Sequence, residues 1–175
     1  MATMKVKLSS LLFAAAAVVI FASVSFAQVE TFSSPDVEYT FSIPDARWKS
    51  TATPSASSST HRYVYVDRND AQLEIRKLSK SKSELLSEFI RNNEESKLQT
   101  LPGYIPGREE NFKGKLEGMI FNYEYVLSGR SMIGRFYYLS VNDTTVYVLR
   151  FTGNAKILKS IRNQTDSIAR TFDVK

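Results

Sequence analysis

The chain has 175 residues and no cysteine. That absence excludes disulfides, thiol nucleophiles, iron–sulfur clusters and thiolate zinc sites together. Histidine is scarce as well. His61 stands alone, which removes most histidine-based metal centres and acid–base pairs. Five prolines and seven glycines are too few for a collagen-like or low-complexity chain. No G-x-S-x-G elbow, phosphate-binding glycine loop, dinucleotide fingerprint or calcium loop occurs. The formal charge is only +5, too mild for a dense nucleic-acid footprint. What remains is ordinary: 43% hydrophobic and 23% charged residues, close to the averages of one globular domain.

Residues 1–27 read as a secretory signal peptide. Lys5 and Lys7 give a positive start, Leu11 to Val24 is an apolar run interrupted only by Ser23, and Ser25-Phe26-Ala27 ends it with small residues at the two positions a signal peptidase reads. The run is short for a spanning helix, which needs about 20 apolar residues. Cleavage is expected between Ala27 and Gln28. It removes two lysines and no acid, so the formal charge of residues 28–175 falls to +3. With no cysteine to carry a lipid at the cleavage site, no stable membrane anchor is expected afterwards. The sequence thus predicts an exported chain, free in a periplasm or outside the cell.

Residues 28–37 read as a flexible lead-in, and 38–175 as one α+β domain. Tyr39, Phe41 and Ile43 alternate with Thr40 and Ser42 as in a half-buried strand, which Pro44-Asp45 stops. Trp48 is expected to plug the end of a sheet. Ser50 to Thr60, rich in Ser, Thr, Ala and Pro, reads as a loop. Strands Arg62–Val66 and Ala71–Leu78 flank the turn cluster Asp67-Arg68-Asn69-Asp70. A helix is expected over Ser81–Leu98, with a Ser81/Glu84 capping box and Leu85, Leu86, Phe89, Ile90 and Leu98 on its buried side. Two prolines and two glycines in Leu101–Gly107 argue against regular structure there. Gly114 and Gly118 read as turn or bulge residues.

Three strands follow: Met119–Leu127, Ile133–Val141 and Thr144–Thr152, the last two joined by a tight turn at Asn142-Asp143. These last two are apolar on both faces, so they must lie mid-sheet with layers above and below. A final helix is expected over Ala155–Thr171, capped by Asn154, with Leu158, Ile161, Thr165, Ile168 and Phe172 facing the sheet. The order predicts an antiparallel β-sheet flanked by helices, an α/β/α sandwich.

Few residues suggest chemistry. His61 with Ser59 lacks the orienting acid and oxyanion site that Ser-His catalysis requires, and it reads as a solvated histidine in a Ser-rich loop. Glu94-Glu95 and Glu109-Glu110 are adjacent pairs, which diverge on helix or strand and form no local dyad. Arg130, Arg135 and Arg150 interleave with aromatics, but the aromatics alternate within strands and core packing explains them. The most suggestive stretch is Arg76-Lys77-Leu78-Ser79-Lys80-Ser81-Lys82-Ser83. Arg76, Lys77, Lys80 and Lys82 precede a predicted helix start, where free N–H groups favour an anion or acidic partner. No catalytic residue, metal ligand or cofactor is assigned.

The pattern resembles the PsbP-like superfamily, which includes Mog-type Ran-binding proteins and DcrB-like bacterial periplasmic proteins. The resemblance rests on Tyr39-Thr-Phe-Ser-Ile-Pro44 with Trp48, the helix around Leu85–Ile90, and Gly118-Met-Ile-Phe-Asn-Tyr-Glu-Tyr125. It continues through Gly134-Arg-Phe-Tyr-Tyr-Leu139, Thr145-Val-Tyr-Val-Leu-Arg-Phe-Thr152 and Ser167-Ile-Ala-Arg-Thr-Phe172. It implies an α/β/α sandwich and a binding or assembly role without catalysis. PsbP-type relatives support the photosynthetic oxygen-evolving complex, and Mog-type relatives bind a small GTPase. The leading expectation is therefore an exported non-enzymatic domain that binds a protein or envelope component, with no nucleic-acid partner. The alternative is a carrier holding a hydrophobic or anionic small ligand between sheet and helix, with Leu98–Gly107 as its lid.

Overall fold

A computed structural model describes residues 29–55, 60–67 and 70–175. The expected leader, Ser59 and the turn residues Arg68 and Asn69 lie outside the described residues.

The main sheet has seven antiparallel strands in the order β3-β4-β5-β9-β8-β7-β6. They are β3 (Trp48–Ala52), β4 (His61–Tyr65), β5 (Ala71–Ser79), β6 (Ile105–Lys113), β7 (Glu117–Leu127), β8 (Arg130–Ser140) and β9 (Thr145–Asn154). From β5 the chain crosses to the far edge, starts β6, and meanders back until β9 pairs with β5. The strands read as apolar on both faces thus occupy the centre. Tyr137, Leu139, Tyr147, Leu149 and Phe151 belong to the core on one face, and Phe136, Tyr138, Val146 and Val148 to the core on the other.

The first face is covered by α3 (Ala155–Ser160), α4 (Arg162–Thr171) and a small sheet. That sheet has the order β1-β2-β10, with β1 (Glu30–Ser33), β2 (Tyr39–Ile43) and β10 (Asp173–Val174). All five residues expected on the inner side of the last helix are buried. Asn154 caps it as expected: its Oδ1 accepts the N–H groups of Lys156 and Ile157 at 3.0 and 3.4 Å. The helix breaks at Ile161, where φ is −105°. The second face is covered by α1 (Leu86–Ile90), a π-helical turn (Arg91–Glu95) and α2 (Ser96–Leu98), which set Phe89 and Ile90 on Phe121, Tyr123, Phe136 and Tyr138. The result is the expected α/β/α sandwich.

Several expectations need correction. Glu30–Ser33, read as lead-in, pairs antiparallel with β2, because Phe32 finds a partner in Phe41, ring centroids 5.2 Å apart. Trp48 opens β3 rather than ending a sheet. Its indole is buried and donates to Gln164 Oε1 on α4 at 3.0 Å. The second-face helix starts at Leu86, not Ser81. Lys80 Nζ donates to the Glu84 carbonyl at 2.9 Å, fastening residues 80–84 as a turn, and Leu85 is left 64% exposed. The Glu88 carboxylate, not Glu84, accepts an N-terminal amide, that of Leu85 at 3.3 Å.

Ile105-Pro106-Gly107 joins β6 despite its composition, since an outermost strand tolerates proline. The β8–β9 connection spans residues 141–144, with Asn142 Oδ1 accepting the amides of Thr144 and Thr145, both at 2.9 Å. Gly118 lies inside β7, not in a turn. A Cβ there would stand 1.8 Å from the Tyr138 carbonyl oxygen.

Candidate functional site

The basic stretch does not converge. Alternation along β5 sends Arg76 and Lys77 to opposite faces of the sheet. Arg76 pairs with Glu74 on the second face, and Lys77 with Glu38 on the first. Lys80 is committed to the carbonyls of Ser81 and Glu84. Lys82 reaches Asp143 at 3.6 Å, both side chains being exposed. Each of the four already has a partner.

His61 is a core residue, not a solvated loop histidine. It opens β4 on the buried side of the first face, fully inaccessible. Nδ1 lies 2.8 Å from the Tyr39 hydroxyl, and Nε2 has no hydrogen-bond partner among the described residues. Phe32 and Tyr63 flank the ring at 4.4 and 4.9 Å. Burial away from water lowers its pKa to about 4, so the imidazole is neutral at neutral pH. Its surroundings are those of a packing residue.

The open surfaces lie elsewhere. On the second face, α1 and α2 cover β7–β9 and reach Leu78 at the end of β5, and among the described residues the rest of the β3–β5 half is left bare. There Arg62, Gln72 and Arg76 are exposed and Val64 and Glu74 half-buried, as is Thr152 on β9 opposite Gln72. Where bare sheet meets helix, a cleft of about 470 Å³ opens. Its aromatic lining is Tyr123, Tyr125 and Phe136; Leu98, Leu101 and Lys97 line it from the helix side. Arg150, on β9, lies over the Phe136 ring at 5.3 Å and pairs with buried Glu94 of the π turn. The extra residue of a π turn shifts side-chain directions, and here Glu94 meets the sheet. The buried Nε of Arg150 has no partner among the described residues. The loop expected as a lid forms a wall of this cleft through Leu98 and Leu101.

On the first face, a cleft of about 350 Å³ lies between β6–β8 and the α3–α4 helices. Arg135, on β8, is 7% exposed at its edge. Its Nε donates to the Tyr137 hydroxyl at 2.7 Å, one terminal nitrogen to Asn122 Oδ1 at 2.8 Å, and the other to Asp166 Oδ1 at 3.0 Å. The Tyr137 hydroxyl also bonds Asp166 and lies 3.0 Å from Thr165 Oγ1. This network ties α4 to β7 and β8. Lys159–Glu124 at 3.1 Å and Arg162–Glu110 at 3.7 Å bridge helix to sheet.

A third opening, of about 440 Å³, has Glu38, Lys77 and Tyr147 at its edge. The Tyr147 hydroxyl donates to Glu38 at 2.5 Å, and these two partners hold the Glu38 carboxyl below its ordinary pKa, Lys77 contributing most. Among the described residues no group of three or more His, Asp or Glu could hold a metal ion, and no helix is long and apolar enough to cross a membrane.

Sequence reasoning missed these clefts because each joins residues distant along the chain. Arg135 and Arg150 were visible as cations among aromatics. Glu94 and Asp166, which pair with them, carried no local signal.

No protein-family model and no curated protein matches the chain. Solved structures do. CyanoP, the cyanobacterial PsbP of Synechocystis sp. PCC 6803, aligns with a TM-score of 0.56 and 13% identity over 87% of this chain and 96% of that one. LpqN, described as involved in cell envelope biogenesis of Mycobacterium tuberculosis, aligns at 0.53 and 13% over 84% and 91%. A point mutant of the protein Mog1 aligns at 0.58 and 11% over 84% and 96%. Such identities carry the architecture and not the site residues. The fold is PsbP/Mog-like.

Proposed function

We propose that this chain is an exported, non-enzymatic binding or assembly domain, and that it meets a protein or envelope component through the second face of its sheet. The bare β3–β5 half of that face carries the proposal, together with the cleft beside it. Its aromatic lining and its arginines are the residue types enriched at the centres of protein interfaces. Exposed Arg62 and Arg76 share the single carboxylate of Glu74, so with exposed Lys97 the rim keeps a net positive charge suited to an acidic partner surface. The leader-like residues 1–27 support export, as does the fold shared with a cell-envelope biogenesis protein. The burial of His61 supports a role without catalysis.

The test is crosslinking of the protein in its native host, read by mass spectrometry, with wild type beside an Arg76→Glu/Lys97→Glu variant and an Arg130→Glu control. One reproducible exported partner, lost from the double variant and kept by the control, is expected. A partner retained by the double variant rejects this face, and recovery of the chain alone rejects the reading.

A further inference from the structure

We propose that the first-face cleft binds a small monocarboxylate with an aliphatic or aromatic body, a function beyond the partner-binding reading above.

Charge is the first argument. Four cations line this cleft: Arg108, Arg135, Lys159 and Arg162. Three have carboxylates, Asp166, Glu124 and Glu110 respectively. Arg108, which is exposed, has none within ion-pair distance among the described residues. The cleft therefore lacks one negative charge, which a monoanion supplies. A dianionic phosphate would bring surplus charge next to Glu110 and Glu124.

The backbone is the second argument. β6 and β7 slip register between Pro106 and Glu109, so that Gly107 and Arg108 together face Asn122. Bulges of this kind re-aim a side chain. This one depends on Gly107, because a Cβ there would lie 2.5 Å from the Asn122 carbonyl oxygen. Asn122 holds the bulge from the other side, donating to the Arg108 carbonyl at 3.3 Å. The same Asn122 orients Arg135, whose guanidinium has five N–H donors and uses three within the protein.

The third argument is the apolar lining. Ile105, 59% exposed, stands with Pro106 at one part of the cleft, and Ile133 and Leu158 line another. The volume is near the lower end for small-molecule sites, about 300 Å³, which suits a body of eight or so carbons. The planar arginine fork matches a carboxylate.

The experiment is a calorimetric and NMR titration of the purified protein with octanoate, octan-1-ol and inorganic phosphate. Octanoate is expected to saturate one site and shift the amides of Gly107, Arg108 and Gly134. Octanol and phosphate should each bind at least about tenfold more weakly, since each lacks one of the two recognition elements. Arg108→Gln and Ile105→Asp, both at exposed positions, should each weaken octanoate by about tenfold without altering the fold. Failure of octanoate to saturate, or wild-type affinity in Arg108→Gln, overturns the site. Octanol binding equal to octanoate overturns the anion element, and equal phosphate binding overturns the apolar one. Crosslinking through the second face should be unaffected by Arg108→Gln, so the two proposals fail independently.

Discussion

At the scale of single residues, the two groups with the most distinctive surroundings are His61 and Arg135. An unfolded histidine titrates near 6.5, whereas His61 in the fold titrates at about 4. The unfolded chain therefore takes up a proton first. Stability from this residue is fully present above about pH 6.5 and is lost as pH falls toward 4, a loss of about 3 kcal/mol at most. Urea denaturation at pH 7 and pH 4.5 should show a smaller difference for His61→Phe than for wild type; equal differences would remove the buried neutral imidazole from the account. Arg135 poses the opposite problem, a charge kept buried by Asp166. Asp166→Ala should cost on the order of 3 kcal/mol, because it strands that charge, and Arg135→Met/Asp166→Ala should recover much of it. The sequence could not show either state. A lone histidine after a Ser-rich stretch looks solvated until Phe32 is known to lie over it.

At the scale of elements, periodicity was the dependable guide. The alternation of Tyr39, Phe41 and Ile43 and the spacing of Leu158, Ile161, Thr165, Ile168 and Phe172 each named the face that the structure buries. The errors fell where tertiary pairing overrides local composition. Leu101–Gly107 looked irregular, yet its last three residues enter β6, because a partner strand and an open edge make room for Pro106 and the bulge. Ser81 and Glu84 have the spacing of a capping box, but the commitment of Lys80 to the Glu84 carbonyl favours a turn there. Gly118 looks in sequence like a turn or bulge glycine, but its requirement is the approach of Tyr138 within the β7–β8 ladder. Gly118→Ala should cost about 3 kcal/mol, at the upper end for overpacking. Gly129→Ala, at φ +74° with open space around it, should cost about 1 kcal/mol. Comparable losses in thermal denaturation would contradict the packing at Gly118. Asn154→Ala should remove about 1 kcal/mol through loss of the cap.

At the scale of the whole molecule, a central apolar sheet needs cover on both faces, and the chain provides it unevenly. The first face receives two helices and a small sheet. The second receives short helical segments over β7–β9 and the end of β5 at Leu78, and among the described residues the rest of β3–β5 stays open on that side. That layered architecture was legible in the sequence, because β8 and β9 are apolar on both sides. The asymmetry was not, since exposed positions on β4 and β5 look alike whether or not a helix passes above them. Crosslinking in the native host decides whether the open half-face binds a partner. One exported partner should be captured by wild type and Arg130→Glu but lost with Arg76→Glu/Lys97→Glu. Capture of the same partner by all three proteins, or of none by wild type, rejects this face as the docking surface.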